Sequence, residues 1–177
     1  MSEMLQLIEP QIPALRRYAR ALVRDRSASD DLVQDCLELA ISRWHQRRQE
    51  GSPRAWLFSI LHNLAMRRLS RTQGPARQLP IEDTEESVLA RPAQQTARLE
   101  HRDLLRALEQ LSETHRSVLL LVGVEDLSYA EAARVLDVPI GTIMSRLSRA
   151  RQNLSHLLEG ESVERDGVNP SHLRRIK

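Results

Sequence analysis

The sequence is poor in residues that several large classes of protein need. Cys36 is the single cysteine among 177 residues, so an internal disulfide and a cysteine metal cluster are excluded. Phe, Trp and Tyr make up 3% of the chain, which suits small helical cores better than a large sheet. The longest apolar run, Val118–Val122, is far too short to cross a membrane.

Signals for export and for catalysis are also missing. The first ten residues lack a basic start followed by an apolar core, so we expect no signal peptide and a soluble cytoplasmic protein. The six histidines do not have the spacing of metal ligands, and there is no nucleophile–base set or Gly-rich phosphate loop. We therefore expect no metal, no cofactor and no enzymatic activity.

The distribution of charge is more informative than its sum. The net charge is only +2, from 26 Lys and Arg against 24 Asp and Glu, and most of the basic residues are Arg. No acidic residue occurs from Pro53 to Arg71 or from Pro139 to Leu158. Arg favours bidentate and phosphate contacts, so these segments fit nucleic-acid contact, although a solvated helix face explains them as well.

The stretch from Ser128 to Leu158 predicts two helices joined by a tight turn. Ser128 followed by Glu131 is a capping box, and Asp137 and Pro139 end the first helix. Apolar residues at helical spacing then predict a second helix from about Ile140. This helix-turn-helix pattern allows the second helix to enter the major groove of DNA, and an ordinary helical hairpin is the alternative.

The remaining periodicity predicts an all-α protein of two small helical domains. The first, residues 1–71, contains helices that begin near Ile12, at an N-cap on Ser29 and at Pro53. Residues 72–95 contain Pro and acidic clusters without periodicity, which indicates a flexible linker. The second domain is residues 96–158, with Ser112 capping a helix before the helix-turn-helix. Residues 159–177 form a tail that we expect to be disordered.

The predicted helix after Ser29 has a polar outer strip. Asp31, Gln34, Asp35 and Glu38 follow one another at i, i+3, i+4 and i+7, so they share one side of the helix. The pattern alone fits either a solvated acidic face or a docking strip for a basic partner. Trp44, just after it, is equally open to packing or to stacking on unpaired bases.

Three motifs in order resemble the bacterial RNA polymerase sigma factors of the extracytoplasmic-function type. They are DDLVQD at Asp30–Asp35, PRAWLFSILHNLAMRRLSR at Pro53–Arg71 and LSYAEAARVLDVPIGTIMSRLSRAR at Leu127–Arg151. The resemblance implies a two-domain protein that directs core polymerase to promoters. The family usually has Gly where this chain has Asp126 and Asp137, and we expect both Asp residues at positive φ.

The resemblance also implies partners and sites. The acidic strip would dock on the clamp coiled coil of the largest polymerase subunit, and the second domain would rest on the flap of the other large subunit. An anti-sigma factor, often membrane-bound, would restrain the protein, typically in a stress response. For melting and binding the minus-ten element it implies Trp44, Asn63, Arg67 and Arg68. For the minus-thirty-five element we predict base contacts from Ser145, Ser148, Arg149 and Gln152, and phosphate contacts from Arg116, Arg146 and Arg151.

Three other functions explain part of the pattern. A conventional helix-turn-helix regulator accounts for the last motif but leaves the acidic strip unexplained. A sigma-mimicking adaptor would bind an anti-sigma factor without initiating transcription, and such adaptors usually carry a receiver domain that does not fit here. A small DNA-processing enzyme would need an acidic metal cluster, which the sequence lacks.

Overall fold

The structure is a computed structural model that describes residues 2–47, 51–72 and 102–165, and these residues contain helices and no strand. The first half contains α1 (Ser2–Ile8), a 3₁₀ turn (Glu9–Gln11), α2 (Ile12–Val23), α3 (Arg26–Ser42), a second 3₁₀ turn (Trp44–Gln46) and α4 (Pro53–Thr72). The second half contains α5 (residues 102–110), α6 (Glu113–Leu119), a π-helical turn (Leu120–Val124), α7 (Tyr129–Leu136) and α8 (Ile140–Arg165). Beyond Thr72, the predicted linker lies outside the described residues.

Helices α2, α3 and α4 pack together around a core of aliphatic side chains with one Tyr and one Phe. Tyr18 and Phe58 are fully buried and meet edge to face, with ring centroids 5.3 Å apart. Helix α1, which the sequence pattern did not predict, adds Met4 and Ile8 to this core. Burial of these side chains supplies the main driving force for packing of the first half.

The start of α3 corrects the sequence prediction. The N-cap is Asp25, whose Oδ1 accepts a hydrogen bond from the backbone N–H of Ala28 at 2.5 Å. Ser29, predicted as the cap, lies one turn inside the helix, is buried, and donates its hydroxyl to the carbonyl of Arg26 at 2.8 Å. Asp and Ser are comparable caps, so local preference did not separate the two positions.

The helix-turn-helix forms as predicted. Ser128 accepts from the backbone N–H of Glu131, and the Glu131 carboxylate accepts from the backbone N–H of Ser128, so both halves of the capping box are present. Asp126 and Asp137 have φ angles of 52° and 50°, which confirms the expected left-handed conformations. Helix α8 continues past Leu158 to Arg165, so the first part of the predicted disordered tail is helical.

The two halves share one buried apolar cluster. Helix α4 packs on α7, and α2 contacts α6 and the π-helical turn. Each half is small and buries a limited apolar surface on its own, so this shared contact adds to the stability of both.

Candidate nucleic-acid interface

Helix α8 presents a polar and basic face to solvent. Its inner face is anchored by Ile143, Leu147 and Ala150, all at 2% exposure or less. The predicted base-contacting residues lie opposite this buried stripe and are all exposed: Ser145, Ser148, Arg149 and Gln152. Arg151 is also exposed, and Arg146 is half-buried. The structure therefore brings these predicted contacts onto the accessible side of one helix.

Two apolar side chains are exposed in the first two turns of α8. Ile140 is 46% exposed and Met144 is 50% exposed. Ser145, next to Met144, donates its hydroxyl to the carbonyl of Thr142 at 3.1 Å. With its hydrogen engaged, Ser145 is left as an acceptor on this face.

Helix α4 carries a second basic surface. Asn63 and Arg67 are exposed one turn apart, so their side chains lie on the same side of the helix. Arg68 is half-exposed, and its Nη1 lies 4.0 Å from Oδ2 of Asp31 on α3. This contact connects a residue predicted to bind DNA with one predicted to bind polymerase.

The Trp44 side chain packs against its neighbours instead of projecting into solvent. Its ring meets Trp56 edge to face with centroids 5.9 Å apart, and the guanidinium of Arg47 lies 4.8 Å from the ring centroid. Both Trp residues are half-buried against the core of the first half. A nucleobase would have to displace Arg47 to stack on this face of Trp44, so the structure gives the predicted stacking role less support than the packing role.

A hollow of about 320 Å³ lies beside these Trp residues, at the junction of the two halves. The first half contributes the end of the second 3₁₀ turn and the start of α4, and the second half contributes Arg134 from α7. Its lining consists of Gln46, Arg47, Gly51, Ser52, Ala55, Trp56, Ser59 and Arg134. Polar and basic groups from both halves therefore border one concave surface.

The acidic strip of α3 faces solvent. Asp31, Gln34, Asp35 and Glu38 are all exposed, while Leu32, Val33 and Cys36 on the opposite side are buried. Gln34 donates its amide to Oε1 of Glu38 at 3.0 Å. The strip is thus an accessible anionic surface, as its spacing predicts.

Sequence reasoning missed a buried ionic cluster between the two halves. Glu125, with its side chain 1% exposed, accepts from Nε and Nη2 of Arg17 at 3.2 and 2.9 Å. Nη2 of Arg54 donates to Oε2 and to the backbone carbonyl of Glu125, at 3.1 and 2.8 Å. We call Arg17, Arg54 and Glu125 the Glu125 clasp, because it joins α2 and α4 to the segment before the helix-turn-helix.

A second polar contact lies in the same junction. The hydroxyl of Tyr18 is 3.0 Å from Nδ1 of His62, and Ser117 of α6 lies beside it. Burial raises the pKa of Tyr18 and lowers the pKa of His62 to about 4. Both groups are therefore neutral at pH 7, and their hydrogen bond replaces contacts with water.

Glu131 links the capping box to the first half. Burial alone would raise the pKa of this carboxyl, but the backbone N–H and hydroxyl of Ser128 and the hydroxyl of Ser52 outweigh it, with a smaller contribution from Arg134. The net effect is a lowered pKa, so Glu131 is held as a carboxylate. Ser52 follows the second 3₁₀ turn, which brings the start of α4 next to the start of α7.

The position of Arg116 contradicts its predicted contact with DNA. The residue is 4% exposed. Its side chain donates to the backbone carbonyls of Leu108, Glu109 and Leu111, each at 2.8 Å. These carbonyls end α5, so Arg116 closes the end of that helix. Burial, followed by the nearby charge of Arg24, lowers the pKa of Arg116. A guanidinium engaged in this way is not presented to a phosphate.

Two known families match the chain, one in each of its two halves. Residues 8–62 match the family described as the Sigma2 domain of PhyR. Residues 101–154 match the family described as Sigma-70, region 4. The second match covers α5 through most of α8, including the helix-turn-helix.

Relatives that align with most of the chain identify its family. The chain is 36% identical to the ECF RNA polymerase sigma factor EcfG of Rhodopseudomonas palustris, over 86% of this chain and 83% of the relative. It is 32% identical to the RNA polymerase sigma factor HrpL of Pseudomonas syringae, over 87% and 86% of the two chains. The chain belongs to the extracytoplasmic-function RNA polymerase sigma factors.

Solved structures agree with this assignment. The sigma factor RpoE of Bartonella quintana, in complex with the anti-sigma factor NepR, is 31% identical with a TM-score of 0.71, over 90% of this chain and 98% of that chain. CnrH, in complex with the cytosolic domain of CnrY, is 30% identical with a TM-score of 0.67, over 89% and 88%. Among the residues described for the present chain, no helix is long and apolar enough to span a bilayer.

Proposed function

We propose that this chain binds core RNA polymerase through the acidic strip of α3 and directs it to promoters through α4 and α8. The observation that carries the proposal is the separation of charge. Asp35 and Glu38 are exposed on one helix, whereas α4 and the first 19 residues of α8 contain no acidic residue. An anionic strip suits a basic protein surface, and acid-free basic helices suit phosphates.

The two DNA contacts have different tasks in this proposal. Exposed Ser148, Arg149 and Gln152 on α8 contact base edges of the minus-thirty-five element, and Arg146 and Arg151 contact its phosphates. Asn63 and Arg67 on α4 contact the minus-ten element as it opens. Each contact is small, so tethering both to one polymerase raises their effective concentration at the promoter. Recognition of this kind needs no catalytic group in the chain, which would act in the cytoplasm with the polymerase.

We further propose that an anti-sigma factor restrains the chain under unstressed conditions. The relatives RpoE and CnrH were solved with NepR and with the cytosolic domain of CnrY, and this chain shares their fold over 89% or more of its length. Such an inhibitor would have to cover the acidic strip, the α8 face or the surfaces joined by the Glu125 clasp.

Run-off transcription with purified core polymerase on a genomic template library tests the main proposal. We expect specific transcripts that depend on the chain. The double variant Asp35→Arg, Glu38→Arg should bind core polymerase at least tenfold more weakly, because it reverses two exposed charges of the strip. Glu3→Arg, an exposed carboxylate on α1, is the matched control and should bind normally.

Two results would contradict the proposal: no chain-dependent transcript from any template, or unchanged polymerase affinity in the double variant. The same assay separates a sigma factor from a sigma-mimicking adaptor, which would bind an inhibitor without supporting initiation. It also separates it from a conventional regulator, which would bind DNA without stoichiometric binding to core polymerase.

A further inference from the structure

Ile140 and Met144 are two of the most exposed large apolar side chains in the described part of the chain. Each has close to half of its surface accessible. They occupy the first two turns of α8, and residues four apart lie on one side of a helix. A single exposed apolar residue is common on proteins, but this pair lies in line with exposed Ser148 and Arg151, which follow Met144 at i+4 and i+7.

The surroundings of the pair favour DNA as its partner. Residues at the start of the second helix of a helix-turn-helix contact base edges in the major groove. The α8 segment around the pair contains Arg146, Arg149 and Arg151 and no acidic residue before Glu159. This charge is complementary to a phosphate backbone, whereas an apolar protein partner would gain nothing from three guanidinium groups.

Only one base exposes an apolar group in the major groove. Thymine carries a methyl group at C5, and the other three bases present polar edges there. Met144 has a flexible thioether chain that adapts to such a group, and Ile140 has a rigid branched one. Four residues of helix advance about 6 Å, less than two base-pair steps of about 3.4 Å each, so the two side chains can reach the same base pair or adjacent ones.

We propose that Ile140 and Met144 form an apolar edge that reads thymine methyl groups on one or two adjacent base pairs of the minus-thirty-five element. This inference rests on the proposed function and deepens it, since it adds specificity residues that do not form hydrogen bonds. Ser145, left as an acceptor, can pair beside them with an amino group of adenine or cytosine.

Replacing thymine by uracil tests the inference because it removes only the methyl group. Promoters are first selected with the complete holoenzyme from a library randomised upstream of the start site. Each thymine of the selected upstream element is then replaced by uracil, and the affinity of the promoter complex is measured. We expect the affinity to fall about three- to fivefold at one or two positions, which is the change expected when burial of one methyl group is lost.

The protein variants connect that loss to the two residues. Holoenzyme with Met144→Ala or the similarly sized Met144→Gln should bind the thymine and uracil templates equally at one of these positions, and Ile140→Ala should do so at the neighbouring one. Leu5→Ala, an exposed apolar residue on α1 that is 47% accessible, is the control and should keep the full difference.

Each outcome is decisive. If no upstream sequence is selected, the proposed function itself fails. If a sequence is selected but no thymine is sensitive to uracil, or the variants keep the full difference, the methyl-reading inference is overturned while the sigma-factor function stands. If the variants lose binding to an anti-sigma protein instead, the pair is a protein-docking surface and the inference is likewise overturned.

Discussion

Arg17 and Glu125 lie 108 residues apart in the chain and form a two-point ion pair across the junction of the two halves. Arg54 binds the same carboxylate from α4. The Glu125 side chain is 1% exposed, whereas those of Arg17 and Arg54 are 57% and 33% exposed. The carboxylate is thus the desolvated member, and its two partners keep contact with water.

We expect Glu125→Gln to reduce the free energy of unfolding by about 1–3 kcal/mol, because the negative charge that makes two ion pairs is lost while the shape is kept. The control is Arg20→Gln, which removes an exposed pair with Asp30 at 3.7 Å and should change stability by less than about 0.5 kcal/mol. Urea unfolding with an unchanged m value measures both. Equal stability of the two variants would show that the clasp does not hold the halves together.

The clasp also bears on how one chain reaches two promoter elements. A compact chain of this length has a radius of gyration of roughly 16 Å, whereas elements roughly 25 base pairs apart lie roughly 85 Å apart along B-DNA. We therefore expect the halves to separate in the promoter complex. Fluorescence energy transfer between dyes on α1 and on the exposed face of α8 should be high in the free chain and low in the holoenzyme. Glu125→Gln should lower the transfer in the free chain, and an unchanged transfer on binding polymerase would contradict the expectation.

Local chemistry made much of the fold predictable. Ser128, Glu131 and Asp137 act through their own backbone and that of their immediate neighbours, so their spacing alone indicates the ends of α7. The same holds for Ser112, whose hydroxyl accepts from the backbone N–H of His115 at the start of α6. Periodicity likewise indicated which faces of α3 and α8 are buried and which carry the polar strips.

The contacts that sequence reasoning missed are those between distant segments. Nothing in the sequence near Glu125 marks its carboxylate as buried, because its partners lie in α2 and α4. Arg116 was misassigned for a similar reason, since a guanidinium binds backbone carbonyls or phosphates with the same donors. Only the fold brings the end of α5 within its reach.

Arg116→Ala should destabilise the chain by about 2–4 kcal/mol. The variant leaves three carbonyls at the end of α5 without their charged donor in a buried position. Arg116→Lys should recover only part of the loss, because an ammonium does not reproduce the planar fork. Thermal or urea unfolding measures the effect, and the affinity of the folded fraction for promoter DNA should be nearly unchanged. Normal stability with weakened DNA binding would restore the phosphate-contact assignment.

His62 makes stability depend on pH. Its pKa is lowered by burial to about 4, from an ordinary value near 6.5. Between these values the unfolded chain binds more protons than the folded one, so stability falls as the pH drops from about 6.5 towards 4 and is unaffected by this group above that range. We expect a loss on the order of 2 kcal/mol at pH 5 relative to pH 7.5.

The control for this prediction is His62→Gln, which cannot titrate and can still bond to the Tyr18 hydroxyl. Comparing unfolding of the two proteins at each pH removes the contribution of carboxylates common to both. The wild-type chain should lose more stability than the variant on acidification. Parallel pH profiles would show that the imidazole is not held neutral by the fold.

Arg149 and Arg151 are both exposed on α8 but are proposed to do different things, and this difference is measurable. Arg149→Ala should cost about 1–3 kcal/mol on promoters that carry its preferred base and much less on variants changed at that base pair. Arg151→Ala should weaken all promoters about equally and reduce the salt dependence of binding, because one fewer phosphate is neutralised. Holoenzyme affinities on a panel of single-base-pair variants, measured at two or more salt concentrations, separate the two cases. A uniform loss in Arg149→Ala would assign it to the backbone, and a selective loss in Arg151→Ala would make that residue the reader.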